Sequence, residues 1–308
     1  MVGVLRYLCG RLAVGLLTLI GMSLVVFLVL RSSGNPVSLY LPITASVEQR
    51  QELTHELGLD RSLPGQYYEF ASKAATGDLG TSISYHLPVW RLISEGLWSS
   101  IELTLAAVAL AMICGVALGI ASAVRARSWV DRLSRGISLA GMSIPSFWLG
   151  IVLILVFSTW VHWFPAGGSG GLRSLVLPAV ALALFPMAGW IKITRSAMAD
   201  VLASDYVMLE RLSGLSERRI TWKYALRNVM VPAVSFLGLV LGPTVGGAVV
   251  VETVFSWPGI GRTAVTAITN RDYPVVQGIT LVITAIVVVV NIVIDLAYGF
   301  IDPRLTRA

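Results

Sequence analysis

The chain has 308 residues, 56% of them hydrophobic and only 13% charged, and its mean hydropathy is +0.78. Soluble domains carry about 25% charged residues, so a soluble globular protein is excluded and an all-α, polytopic membrane protein is predicted. The net charge of +6 does not mark a nucleic-acid binder, because the basic residues sort by membrane side.

Arg6 and Arg11 precede an uncharged run, Leu12 to Leu30, of the length that crosses a bilayer core. A signal peptide has an apolar core of about 7–15 residues followed by a small-residue cleavage site. Here the run is longer, and Arg31-Ser32-Ser33-Gly34-Asn35-Pro36 offers no such site. It is read as a retained first span, and 1–31 as the first division of the chain. Residues 32–98 hold Pro36, Pro42, Pro64 and Pro88 and read as an extracytoplasmic insertion between the first and second spans. Within it, Val47 to Leu57 predicts a short helix with Ser46 as N-cap and Gly58 as its stop. Gly77-Asp78-Leu79-Gly80 is a turn signal.

The rest, 99–308, reads as a core of five more spans. They are Leu103–Val124, Gly136 to about Trp163 with Pro145 inside, Ser174–Ile191 with Pro178 and Pro186, Val229–Val251, and Pro274–Ile294. Pro165 to Gly171 is a turn, and 192–228 a polar loop. Cys9 sits just before the first apolar run and Cys114 inside the second, so they do not meet in an oxidising space and no disulfide is expected. Six spans put both termini on one side. That side collects 15 Lys and Arg, against 8 on the other, so the termini and the polar loop are predicted to be cytoplasmic.

Several chemistries are missing. The three lysines follow Ser72, Ile191 and Trp222, so no Gly-Lys pair exists for a P-loop. Glu102, Lys192, Glu252 and Asp295 fall at span ends rather than span centres, which disfavours a self-powered carrier or a stand-alone channel. His55, His86 and His162 are scattered, so neither a metal site nor an intramembrane hydrolase is expected. Transport architecture without an energy source directs attention to the polar stretch Asp205 to Pro232. Ser204 or Asp205 can cap one short helix, Gly214 can break it, and Ser216 can cap a second. Met208, Leu209, Leu212, Leu215, Ile220 and Trp222 make the stretch too apolar for a plain solvated loop and suit insertion into a partner's groove.

Here the sequence resembles the permeases of ABC importers, of the peptide, oligopeptide and nickel group. Asp205-Tyr206-Val207, Gly214-Leu215-Ser216-Glu217-Arg218-Arg219, Ala225-Leu226-Arg227-Asn228 and Val231-Pro232 resemble that group's conserved cytoplasmic loop. Leu57-Gly58-Leu59-Asp60, Ser143-Ile144-Pro145-Ser146-Phe147-Trp148, Val251-Glu252-Thr253-Val254-Phe255, Arg271-Asp272-Tyr273-Pro274 and Asp302-Pro303-Arg304 extend the likeness over nearly the whole chain. The large insertion after the first span is like that of the B-type subunit. Glu210 and Leu212 depart from the small residues usual in the loop.

The resemblance implies a bacterial inner-membrane subunit that works with a second permease, two ATPase domains and an extracytoplasmic binding protein. ATP and Mg would be bound by the ATPase partner, with no cofactor, metal or nucleic acid bound by this chain. It implies ATPase coupling through Asp205, Tyr206, Glu210, Arg211, Gly214, Leu215, Ser216, Glu217, Arg218 and Arg219. Peptides are the expected cargo, with nickel or haem as alternatives. In the fifth span Gly238, Gly242 and Gly246 recur every four residues on one face, and Pro243 permits a kink. These residues, with Glu252 and Asp272 as partners for a peptide amino group, are the expected translocation path.

Overall fold

The computed structural model of the protein describes residues 2–32, 37, 41, 45–56 and 58–301. Leu57, Ser33 to Pro36, Pro42 and the Asp302-Pro303-Arg304 motif lie outside the described residues. Among those described, secondary structure is helical apart from one isolated bridge between Thr81 and Pro88. Among the described residues five helices are long and apolar enough to cross a membrane, and a bent helix pair makes a sixth candidate span.

In chain order the helices are α1 (Val2–Ser32), α2 (Val47–Glu56), α3 (Leu63–Ala75) and α4 (Val89–Val124). Next come α5 (Trp129–Ser143), α6 (Ser146–Trp160), α7 (Leu172–Leu202), α8 (Asp205–Leu212), α9 (Glu217–Val254), α10 (Ile260–Thr269) and α11 (Tyr273–Ile301). The chain forms two compact units, one of residues 1–98 and 262–308 and one of residues 99–261.

In the first unit α1 packs along α11. Their approach is close at Gly15, where a Cβ would lie 2.6 Å from Val288. The insertion rests on α1 through Phe27, whose ring meets Tyr67 and Phe70 at 5.5 and 6.2 Å. The Ser23 and Tyr67 hydroxyls share a hydrogen bond of 2.8 Å. α2 is capped as expected and more completely. Gln49 N–H donates to Ser46 Oγ and Ser46 N–H to Gln49 Oε1, a reciprocal capping box. Gly58 ends it with φ +62°, and the Gly58 and Leu59 N–H groups return to His55 and Thr54 carbonyls. On α3, Glu69 accepts from Lys73 and Arg61, and the Lys73 hydrogen bond holds its carboxyl below the usual range.

In the second unit α7 is central. Trp190 is fully buried, stands edge-on to Phe236 at 5.3 Å and donates its indole N–H to the Ala233 carbonyl. Glycines let its neighbours in. A Cβ at Gly115 or Gly119 of α4 would lie 2.6 Å from Trp190 or 2.7 Å from Thr194, and one at Gly141 of α5 2.5 Å from the Leu184 carbonyl oxygen. Close backbone approach at small residues is how helices pack in lipid.

Four sequence expectations need correction. The third span is not one helix: α5 and α6 meet at 112°. Ile144 and Pro145 between them are extended, as a proline and the residue before it prefer. The fourth span does not end at Lys192 but runs to Leu202, so the loop beyond it is short. The second short helix of the polar stretch is no separate element. From Glu217 the chain passes through a π-helical turn, Ile220–Ala225, straight into the fifth span. α4 likewise begins at Val89 rather than Leu103, and its 36 residues reach about 54 Å.

Candidate functional site

α8 is the short helix of the polar stretch. Asp205, Met208, Leu209 and Leu212 share one face at helical spacing. That face is bare: Met208, Leu209 and Leu212 are 61%, 65% and 77% exposed. Val207, on the opposite face, is fully buried. An eight-residue helix is marginal alone, so tertiary contacts hold it. Arg211 grips Glu217 through Nε at 2.7 Å and Nη2 at 3.3 Å, and its Nη1 donates to the Leu202 carbonyl of α7. The Glu217 hydrogen bond pushes the Arg211 pKa up from its ordinary value. Asn228 of α9 donates to the Tyr206 hydroxyl at 2.8 Å. α8 is thus fastened to the spans on both sides of it.

The other residues expected to couple fall around this helix. Gly214 has φ +80° and makes the elbow, with its N–H on the Arg211 carbonyl. The Leu215 N–H returns to the Glu210 carbonyl. Ser204 and Ser216 occupy the N-cap positions of the two helices but make no side-chain cap bond. Ser216, Arg218, Arg219, Trp222 and Lys223 line an open cleft of about 440 Å³.

One node was not singled out from sequence. Asp131 of α5 is 1% exposed. Its carboxylate accepts from Ser122 Oγ of α4 (2.6 Å), the Arg127 N–H (3.0 Å) and Arg195 Nε of α7 (3.1 Å), and also from Arg135. Arg195 Nε also reaches Ser122 Oγ at 3.1 Å. The readable signal was a lone acid among Arg125, Arg127, Arg132 and Arg135, four cations that need a counter-charge.

The residues expected to line the path separate into two groups. Among the described residues no atom lies within 4 Å of a Cβ built at Gly242 or Gly246 of α9, so that part of the glycine face is open there. Gly238 is half-buried and Pro243 exposed on the same helix. Glu252 and Asp272 differ. Glu252 is 1% exposed and accepts from Ser100 Oγ at 2.6 Å, while Ser100 Oγ accepts from the Ile260 N–H. Glycines at 259 and 261 leave the carboxylate its room, since a Cβ at either would approach it within 2.3 and 2.8 Å. Asp272 is fully buried and accepts from Ser82 Oγ and the N–H groups of Ile83 and Ser84. Both carboxylates are engaged by donors of their own chain. Among the described residues no group of three or more His, Cys, Asp or Glu could hold a metal. His55 is paired with Asp60 at 2.7 Å.

The bundle thus carries a short helix with a bare apolar face, fastened between two of its candidate spans. Residues 115–307 match the family of binding-protein-dependent transport system inner membrane components. The chain is 38% identical to the dipeptide transport system permease protein of Alkalihalophilus pseudofirmus, over 98% of this chain and 99% of that one. It is 37% identical to the glutathione transport system permease protein of Escherichia coli, with 98% and 99% covered. It is 35% identical to the di/tripeptide transport system permease protein of Pseudomonas aeruginosa, with 98% of each covered. In fold it is similar to a chain of the MetNI methionine ABC transporter in an inward-facing form (TM-score 0.54, 17% identity, 71% of this chain and 98% of that one). The chain belongs to the family of binding-protein-dependent transport system inner membrane components. It is an inner-membrane permease component of an ABC importer, and membership implies ATPase partners and a substrate-binding protein.

Proposed function

We propose that this chain is the B-type permease of a peptide importer, which forms the translocation path with a second, homologous permease and receives the ATPase stroke through α8. The permease is non-catalytic, and ATP and Mg bind the ATPase partner. Both termini and α8 lie in the cytoplasm, on the side richer in Lys and Arg. Peptide cargo is supported by relatives that transport dipeptides, tripeptides and glutathione.

The observation that carries the coupling role is the bare apolar face of α8 on a helix locked to α7 and α9. An exposed apolar stripe of that size on a short helix suits a groove on a partner. Motion of a helix so fastened passes to both spans. The test is Leu209→Asp combined with Leu212→Asp in the assembled importer. The pair should abolish co-purification of the ATPase while the permease stays folded in the membrane. Full ATPase capture with normal ATP-driven uptake of labelled dipeptide would remove α8 from the contact.

A further inference from the structure

α8 is fastened to α7, and α7 is fastened to α4 and α5 by one buried carboxylate. We propose that Asp131 is a positioning residue for coupling. It locks the ends of α4, α5 and α7 nearest α8 into one body, so that a displacement of α8 moves three helices of the 99–261 unit together. The inference rests on the reading that α8 receives the ATPase stroke.

A carboxylate offers about four acceptor sites. Those of Asp131 take four donors: Ser122 of α4, the Arg127 N–H of the following turn, Arg135 of α5 and Arg195 of α7. With the carboxylate 1% exposed, it is satisfied by these donors rather than by solvent. Sliding α7 away from α4 therefore strips Arg195 from both Asp131 and Ser122 in one step. Charge-assisted bonds of this kind are directional and stronger than neutral ones. The apolar cluster at this end, Ile120, Met198, Ala225 and Val229 with partly buried neighbours such as Val116 and Val201, adds contact that is not directional.

The route from α8 is continuous. Arg211 holds the Leu202 carbonyl, and Arg195 lies seven residues up the same helix, about 10 Å away. The charge balance gives the lock a sign. Arg135 and Arg195 both face Asp131. Neutralising the acid leaves two guanidinium groups confronting each other across α5 and α7, so the joint turns from attractive to repulsive.

The experiment uses the importer assembled with its second permease, ATPase and binding protein in proteoliposomes. It reads ATP-driven uptake of labelled dipeptide and ATP hydrolysis in the same vesicles. Asp131→Asn should keep hydrolysis and lower uptake per ATP about fivefold or more, the lower end of typical inter-site coupling. Arg195→Gln should do the same, Arg195→Lys should restore most of the ratio, and the Asp131→Asn, Arg195→Gln double variant should be no worse than either single one. A loss of stability alone would lower uptake and hydrolysis together and leave their ratio unmoved. An unchanged ratio in Asp131→Asn, or multiplied losses in the double variant, would overturn the proposal. If Asp131→Asn fails to assemble, the contrast between Arg195→Gln and Arg195→Lys decides, because Arg195 is 37% exposed and tolerates exchange. Equal ratios for those two overturn the lock. If the α8 aspartate variants lose the ATPase while Asp131→Asn stays fully coupled, only this inference falls and the α8 reading stands.

Discussion

The two ends of α9 handle apolar side chains in opposite ways. Near its start Leu209, Leu212 and Trp222 are 65%, 77% and 60% exposed. Beyond its end Phe255, Trp257 and Ile260 are 1%, 2% and 5% exposed. Charge follows the same division. Arg218, Arg219 and Lys223 lie open on the surface, whereas Glu252 is enclosed and bonded to Ser100. The 252–261 loop is finished within the chain: the Trp257 indole donates to the Ser99 carbonyl, and Gly168 N–H to that of Phe255. At the α8 end Met208, Leu209 and Leu212 stay uncovered, which suits the proposed contact with another chain. Between the two lies the open glycine face of Gly242 and Gly246.

The largest effect is expected on that middle face. A Cβ at Gly242 meets nothing within 4 Å, so in Gly242→Leu the fold and ATPase capture should survive. If the face lines the path or its seam with the second permease, dipeptide uptake should fall to background. Normal uptake by this variant would return the glycines to a neutral lipid-facing role. Next is the enclosed end. Glu252→Ala strips the Ser100 hydroxyl of its acceptor inside a closed loop. A buried polar group so orphaned costs about 1–3 kcal/mol, more where a charge is involved. Thermal unfolding of the purified permease should therefore drop by several degrees with α8 still able to bind ATPase. An unshifted transition would mean that the loop does not depend on Glu252.

The sequence made the apolar runs plain, because a bilayer-crossing helix writes its length directly into composition. It also showed Ser46 and Gly58 as the limits of α2, since capping is local chemistry. Helix continuation past polar residues was not readable. Lys192 looks like an end, yet α7 runs on because Met198 is buried against Ile120 of α4 and Arg195 finds Asp131. The same holds at Glu217, where a capping serine and a charged run suggested a separate helix and tertiary packing of Ile220 and Ala225 drew it into α9. Pro145 was visible, but a proline alone does not distinguish a mild kink from the 112° turn between α5 and α6. The partners of Glu252 and Asp272 were hidden for a simpler reason: the own-chain donors that engage these acids, Ser100 and the 82–84 turn, are distant in sequence.

The smallest effect on stability is expected at the elbow, and it discriminates best. Gly214 has φ +80° with nothing within 4 Å of a built Cβ, so a substitution there meets backbone strain and no collision. Gly214→Ala should cost about 1 kcal/mol for the left-handed conformation. Gly214→Asn should cost less, because asparagine tolerates that region. Gly214→Pro is different in kind. Its φ is fixed near −65°, and it deletes the N–H that donates to the Arg211 carbonyl. Moving that carbonyl disturbs the residue that grips both Leu202 and Glu217. Uptake per ATP should therefore order as wild type, Asn, Ala and Pro, with the proline variant uncoupled or stripped of its ATPase. Coupled transport at the normal rate in Gly214→Pro would show that the elbow's geometry is not what holds α8 to its neighbours, and would move the contact to the flanking spans.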